Sequence, residues 1–428
     1  MAEQMKPSGI DWIGDIPKSW KVTRLQTLFD QVKDKNSGTK EKNLLSLSYG
    51  KIVKKDIEGA FGLIPESFDT YNIIKKNDIV LRLTDMQNDQ VSLRTGLVKE
   101  EKGIITSAYV TIRLKCGSPS YYHWYLYAFD TSKQIYAFGQ GVRQSLTFEE
   151  LKKMLILLPS PKEQQAIADF LDEECAQIDS IAADLEKQIV LLQQYKKSLI
   201  TETVTKGLDK SAPMKDSGVE WIGKIPEHWQ KTRIKFEASI IGSGTTPDSG
   251  NSMYYDNGEH SWIQSGDLYG KDYIYETEKQ LTNLAILECH ALNWYTKDFV
   301  VVAMYGASVG NVAISKIDSF TNQACCVIKL NEKNDNRYLF YFLKAAQEEM
   351  LLKAFGGTQP NISQIIIKNL NFLNVPLLEQ IEIADFLDSK CDMINEMLKS
   401  KKDQYDILIK HKKSLIYEYV TGKKRVKE

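Results

Sequence analysis

The sequence predicts an α+β fold: two domains of mixed α/β type separated by two long antiparallel coiled-coil helices, pseudo-two-fold and near-circular from an internal duplication. Three observations carry that expectation. Residues 5–25 (MKPSGIDWIGDIPKSWKVTRL) and 214–234 (MKDSGVEWIGKIPEHWQKTRI) are identical at 12 of 21 positions. Residues 163–206 and 379–422 are identical at 20 of 44. Between these copies lie short β-branched runs bounded by Gly, Asn and Asp, which read as strands.

In chain order, residues 1–158 form the first domain, whose segment 1–20 is expected to dock near the C-terminal helix. The first long helix falls in 159–213, the second domain in 214–374 and the second long helix in 375–428. Strands are expected at 43–53, 78–83, 108–114, 298–306 and 324–330, and shorter helices at 121–137 and 335–354. A common frame is visible in both domains. Asn77-Asp78-Ile79-Val80 resembles Lys297-Asp298-Phe299-Val300, and Ala108–Leu114 resembles Ala324–Leu330.

The long helices follow from heptads. Leu171, Ile178, Leu185, Leu192 and Leu199 recur every seven residues, as do Leu387, Ile394, Lys401, Leu408 and Leu415. Ile181, Gln188 and Tyr195 lie three residues after a heptad position and complete the expected seam, as do Met397, Gln404 and His411 in the second copy. The apolar heptad residues are the candidate subunit-interface positions, with the other copy as the expected partner. The alternative is that each helix packs on its own domain. Ser160-Pro161-Lys162-Glu163 resembles a capping box with proline at the first helical position.

Composition sets limits. The chain has 428 residues, 43% of them hydrophobic and 26% charged, which suits two to four ordinary domains. A formal net charge of −1 gives no argument for a nucleic-acid or membrane partner by itself. No apolar run suggests a secretory signal or a membrane span, so a cytoplasmic protein is expected. Cys116, Cys175, Cys289, Cys325, Cys326 and Cys391 form no CxxC and read as reduced, buried thiols.

The loops of the two domains carry the candidate binding residues. In the first they are Tyr49 and Lys51; Arg82, Thr84, Asp85, Gln87 and Arg94; Thr106 and Ser107; and Gln140, Arg143 and Gln144. In the second they are Thr245 and Thr246; Trp262, Gln264, Ser265 and Asp267; Tyr305, Ser308 and Asn311; Asn322 and Gln323; and Gln359 and Asn361. Arg, Asn, Gln, Ser and Thr are the side chains that read base edges, and glycines let backbone amides approach phosphates. Any loop is rich in the same residues for turn-forming reasons, so each position alone also fits a structural role.

The motifs of catalysis are missing. There is no phosphate-binding GxxxxGK[ST] and no Pro-Pro-Tyr/Phe after an Asp or Asn, as an amino-methyltransferase would need. His123, His228, His260, His290 and His411 are scattered. Asp169 with Asp172, and Asp385 with Asp388, sit three apart on the long helices. With Phe and Leu between them they read as a solvated or interface-facing edge and not as a metal pair.

The order domain, helix, domain, helix resembles the specificity (S) subunit of type I restriction-modification systems. The motifs that carry the likeness are SGIDWIGDIP and SGVEWIGKIP, the P-x-x-E-Q…IADFLD helix starts, KKSLI-x-E-x-V-T near the helix ends, and GSGTTPDS…SWIQSGDLYG at 243–270. The resemblance implies two target recognition domains that each read one half of a bipartite double-stranded DNA target, while the helices fix the unread spacer. It implies two methyltransferase subunits docked on the helices, which bind S-adenosylmethionine and methylate adenine. It implies two restriction subunits that use ATP and Mg, and a chain that is itself non-catalytic, holds no cofactor or metal, and works in a prokaryotic cytoplasm on DNA. The alternatives are a coiled-coil scaffold that does not touch DNA, the specificity subunit of a related modification-nuclease system, and a fused nuclease-methyltransferase, which would need several hundred further residues.

Overall fold

A computed structural model describes residues 4–55, 67–85, 93–138, 145–355 and 361–426. The chain falls into two compact units, Met1–Glu186 with Lys402–Glu428, and Lys187–Lys401. The sequence boundaries differ from this division because each domain packs on helix ends drawn from both copies. The first long helix spans Pro161–Lys206 and the second Leu377–Val420.

In the first unit a four-stranded antiparallel sheet runs in the order Phe29–Gln31, Val110–Leu114, Ile79–Leu81, Thr95–Leu97. Strand Lys21–Arg24 pairs with Leu155–Leu158, which leads into the long helix. The second unit repeats the frame. Ala238–Ser243 pairs with Cys325–Leu330, which pairs with Phe299–Ala303, and Gln230–Arg233 pairs with Asn371–Asn374. The frame is offset by one residue from the sequence comparison. Ile112 stands opposite Ile79, whereas its counterpart Ile328 stands opposite Val300. Asn77 and Asp298, which both take a left-handed φ (72° and 63°), are therefore the matching turn residues. A polar side chain that tolerates that conformation marks the turn better than identity does.

The copied segments build the same joint twice. Trp20 and Trp229 are fully buried, and their Nε1 groups donate to Glu163 Oε1 (3.2 Å) and Glu379 Oε2 (2.9 Å) in the first turns of the long helices. Gln164 Oε1 accepts the backbone N–H of Ser118 at 3.0 Å, and Gln380 Oε1 that of Asp335 at 2.9 Å. Ser118 and Asp335 are the N-caps of helices Pro119–Thr131 and Asn336–Ala345. From those helices Tyr121 OH donates to the Val420 carbonyl and Tyr338 OH to the Val204 carbonyl, each at 3.0 Å. Each hydrogen bond satisfies a polar group that burial would otherwise leave costly. In the first unit the N-terminal segment lies against the end of the second helix: Tyr417 OH donates to the Trp12 carbonyl at 3.0 Å, and the two rings are 6.1 Å apart.

The helix seam corrects one expectation. In the first unit the two long helices pack antiparallel, with the Phe170 ring 4.5 Å from Tyr419 and Lys412 Nζ 2.5 Å from Asp179. Leu171, Ile178 and Leu185 are buried there, but their companions lie four residues on, at Cys175 and Ala182. Ile181 and Tyr195, placed inside by the three-residue spacing, are more than half exposed. The second copy agrees: Leu387, Ile394 and Leu415 are buried with Cys391 and Lys412, while Met397 is exposed. Leu192, Leu199 and Leu408 are half-buried. Leu171, Ile178 and Leu415 join the core of the first domain and Leu387 that of the second, so these positions are corrected as a surface for another subunit. The helix-on-own-domain and helix-on-helix readings both hold within the first unit.

Candidate nucleic-acid interface

The candidate loops are held at the ends of the frame strands. In the second unit, hydrogen bonds stitch several of them together. Thr246 Oγ1 donates to Gln323 Oε1. The Gly244 N–H donates to the Asn322 carbonyl (3.3 Å) and the Asn322 N–H to that of Ile263 (3.0 Å). Met304 N–H meets the Ala324 carbonyl (2.7 Å), and Ile362 N–H meets the Met304 carbonyl (2.9 Å). Segments 244–246, 263–264, 322–324, 304–311 and 361–362 thus form one loop cluster. The crossing requires glycine at 244, because a Cβ there would lie 1.6 Å from the Thr321 carbonyl oxygen.

Within this cluster Tyr305, Gln323 and Asn361 are exposed, and Thr245, Thr246, Gln264, Ser265 and Asn311 are half-buried. Trp262, Asp267, Ser308 and Asn322 are buried, which corrects their assignment as contact residues. Trp262 Nε1 donates to the Thr245 carbonyl at 3.3 Å. Asp267 accepts the N–H groups of Gln264 (2.8 Å) and Glu278 (3.1 Å), and Asn322 Oδ1 that of Ala324 (3.1 Å). These side chains shape the loops. Gln359 lies outside the described residues.

In the first unit the same junction recurs, with Leu146 N–H donating to the Leu83 carbonyl at 2.9 Å. Thr84, Asp85 and Ser107 are exposed; Arg82 and Thr106 are half-buried. Strands Leu45–Ser48 and Lys51–Lys54 form a hairpin whose turn residues Tyr49 and Gly50 have φ of 46° and 76°. Two positive φ values give the hairpin turn that matches strand twist, and tyrosine is a poor occupant of it. Tyr49 is nevertheless 81% exposed, so it is not held there for packing. Lys51 is exposed, 3.8 Å from Asp179. Arg94, by contrast, is fully buried and is corrected as a contact residue. Its guanidinium faces main-chain carbonyls. Gln87, Gln140, Arg143 and Gln144 lie outside the described residues.

Of the paired aspartates, Asp172, Asp385 and Asp388 bond to their domains, whereas Asp169 is exposed and accepts Gln165 Nε2 of its own helix at 2.6 Å. Asp172 accepts Ser120 Oγ (2.8 Å) and Trp124 Nε1 (2.7 Å). Asp388 accepts Tyr273 OH (3.0 Å) and Tyr341 OH (2.7 Å), while Arg337 bridges Asp388 and Asp385 at 3.0 and 2.7 Å. Burial first, and then the Asp388 charge, push the Tyr273 phenol upward, so it stays a donor. Among the described residues no group of three or more His, Cys, Asp or Glu is placed to hold a metal ion. Among them, too, no helix is long and apolar enough to cross a membrane. Cys175, Cys325, Cys326 and Cys391 are buried free thiols, Cys289 is half-buried, and Cys116 is exposed, against the expectation that all six are buried. The tryptophan–glutamate joints were missed as contacts, although all four residues lie inside the duplicated motifs.

The chain is thus a duplicated α+β protein, with a repeated frame on the helix ends and loop clusters at the ends of the frame strands. Residues 17–190 and 226–404 match the family described as type I restriction modification DNA specificity domain, and the chain belongs to that family. It is a specificity subunit of a type I restriction-modification system. It is similar, at 26% identity over 435 aligned positions covering 97% of this chain and 96% of the relative, to the MjaX specificity subunit assigned to a type I restriction enzyme in Methanocaldococcus jannaschii. The MjaVIII specificity subunit of the same organism is 24% identical over 425, covering 96% and 94%. A chain from a structure concerned with the assembly and conformational transition of the type I R-M system superposes with a TM-score of 0.70 at 14% identity, covering 95% of this chain and 98% of that one, and supports the fold.

Proposed function

We propose that the chain reads a bipartite DNA target, one half through each loop cluster, with the long helices setting the spacer between the halves. The observation that carries this reading is the division of the duplication. The copied residues form the joints and the frame, whereas the loops assembled on that frame differ between units. A scaffold that does not touch DNA has no physical reason to keep identical joints under unlike loops.

Apolar side chains exposed on the helices support the docking of methyltransferase subunits: Val190, Leu191, Tyr195, Met393 and Met397 in the second unit, Ile181 and Ile407 in the first. Exposed apolar residues grouped on helices mark protein interfaces. In this reading two adenine methyltransferase subunits bring S-adenosylmethionine and basic charge, which explains a chain of formal net charge −1. Target adenines flip into the partners' pockets. Restriction subunits supply ATP- and Mg-dependent cleavage in the same assembly.

The test is methylome sequencing of a host that expresses this chain with its methyltransferase. The expected result is methyladenine at one split motif. A continuous motif, or no methylation by an assembled complex, would end the reading.

A further inference from the structure

We propose that Arg94 is a positioning residue that sets which bases the first unit selects, by holding the peptide planes of the loop that follows strand Ile79–Leu81. The inference rests on that loop being a DNA-reading element. Arg94 stands where the chain returns toward strand Thr95–Leu97. Its carbonyl accepts the Arg82 N–H at 2.8 Å, and its own N–H donates to Asp130 Oδ2 at 2.7 Å. The side chain, 0% exposed, folds back across the mouth of the loop. Nη1 donates to the carbonyls of Arg82 (3.2 Å) and Thr84 (2.7 Å), and Nη2 to that of Asp85 (3.1 Å). Nε donates to Tyr136 OH at 3.3 Å.

One cation therefore draws three carbonyls inward on a segment whose Thr84 and Asp85 are exposed to solvent. Asp85 has a φ of 56°, in the left-handed region that Asp tolerates better than most residues, and Arg94 fixes the carbonyl that follows it. Hydrogen bonds from a charged donor are the stronger kind, and the guanidinium offers them in a rigid planar fork. A lysine ammonium on a flexible stem cannot span the same acceptors. Tyr136 belongs to a short 3-10 helix, Gln134–Phe138, so the same group ties a second stretch of chain to the loop. The second unit closes its matching loop with the counterpart backbone bond, from Ala303 N–H to the Asn311 carbonyl (2.9 Å), and adds one from Gly310 N–H to the Ala303 carbonyl (2.8 Å), but an asparagine, Asn311, stands where the first unit has Arg94. The device belongs to the first unit, and its effect is confined to one half-site.

The experiment assembles wild-type, Arg94→Lys, Arg94→Met and Tyr136→Phe chains with the methyltransferase subunits. Each complex selects from a duplex library randomised over both half-sites, and its thermal unfolding is recorded. The expected result for both Arg94 variants is a loss of discrimination, on the order of tenfold, at one or two base pairs of one half-site, with the other half unchanged. Tyr136→Phe keeps the ring and removes one acceptor, so it relaxes the same positions less. Arg94 variants that select the wild-type sequence in both halves overturn the proposal. So does loss of selection at both halves in all three variants together with a lowered unfolding temperature, because Arg94 then only holds the fold. If the wild-type complex selects no split motif, the DNA-reading interpretation itself fails, before any variant is compared.

Discussion

His123 sits in helix Pro119–Thr131 with its ring 5.2 Å from that of Trp124. Burial first, then the charges of Lys99 and Lys412, bring its pKa down from 6.5 to about 4. Between those values the unfolded chain holds a proton that the native state does not, so stability falls as pH falls through the window. The loss reaches about 3 kcal/mol near pH 4. Thermal unfolding followed from pH 7 to pH 4 should show this slope, and His123→Phe should flatten it. Equal slopes in variant and wild type would remove His123 as the cause. The residue scale is also where sequence reading was weakest. Arg94, Trp262, Asp267, Ser308 and Asn322 are buried, yet they carry the same kinds of donor and acceptor group as exposed neighbours such as Tyr305 and Gln323. Donors and acceptors that suit a base edge suit a loop carbonyl or amide equally well, and burial alone separates the two uses.

At the scale of elements, both long helices are legible because five positions at seven-residue spacing, all apolar in the first helix and four of five in the second, suit little besides a helix. The seam beside them was not. Positions three and four after a heptad leucine are both within reach of it, and the larger apolar residues, Ile181 and Tyr195, stand at the three-residue spacing. The helices instead bury small Cys175 and Ala182, and with them the stem of Lys412, whose charge meets Asp179. Two substitutions one residue apart separate these registers. Ala182→Glu places a charge at a 7% exposed site and should cost about 3 kcal/mol or more in denaturant unfolding. Ile181→Glu, at a 52% exposed site, should change stability by no more than about 0.5 kcal/mol. The reverse ranking would restore the three-residue seam. If methyltransferase docks on this face, Ile181→Glu should also weaken co-purification of that subunit while the chain stays folded.

For the molecule as a whole, the duplication foretold two units on one frame, because joints such as Trp20–Glu163 and Trp229–Glu379 can be kept only by keeping both partners. What sequence comparison blurred was the middle of each domain, where loops of unlike length shift the frame by a residue, as at Ile79 and Val300. The proposed independent readout by the two units predicts a definite outcome. Replacing residues 21–158 with those of a relative should change one half of the methylated motif and leave the other and the spacer intact. A change in both halves would contradict it.

The first unit also depends on residues 402–428, since Tyr121 rests on Val420 and Trp12 on Tyr417. On the ribosome the chain emerges from its N-terminus, so the unit begun first is the one finished last. The second unit, contained in 187–401, has all of its own residues before the first one does. The earliest strands must wait, partly uncovered, for the final turns of the second helix. A premature stop after residue 401 would therefore damage the half of the protein that was translated first.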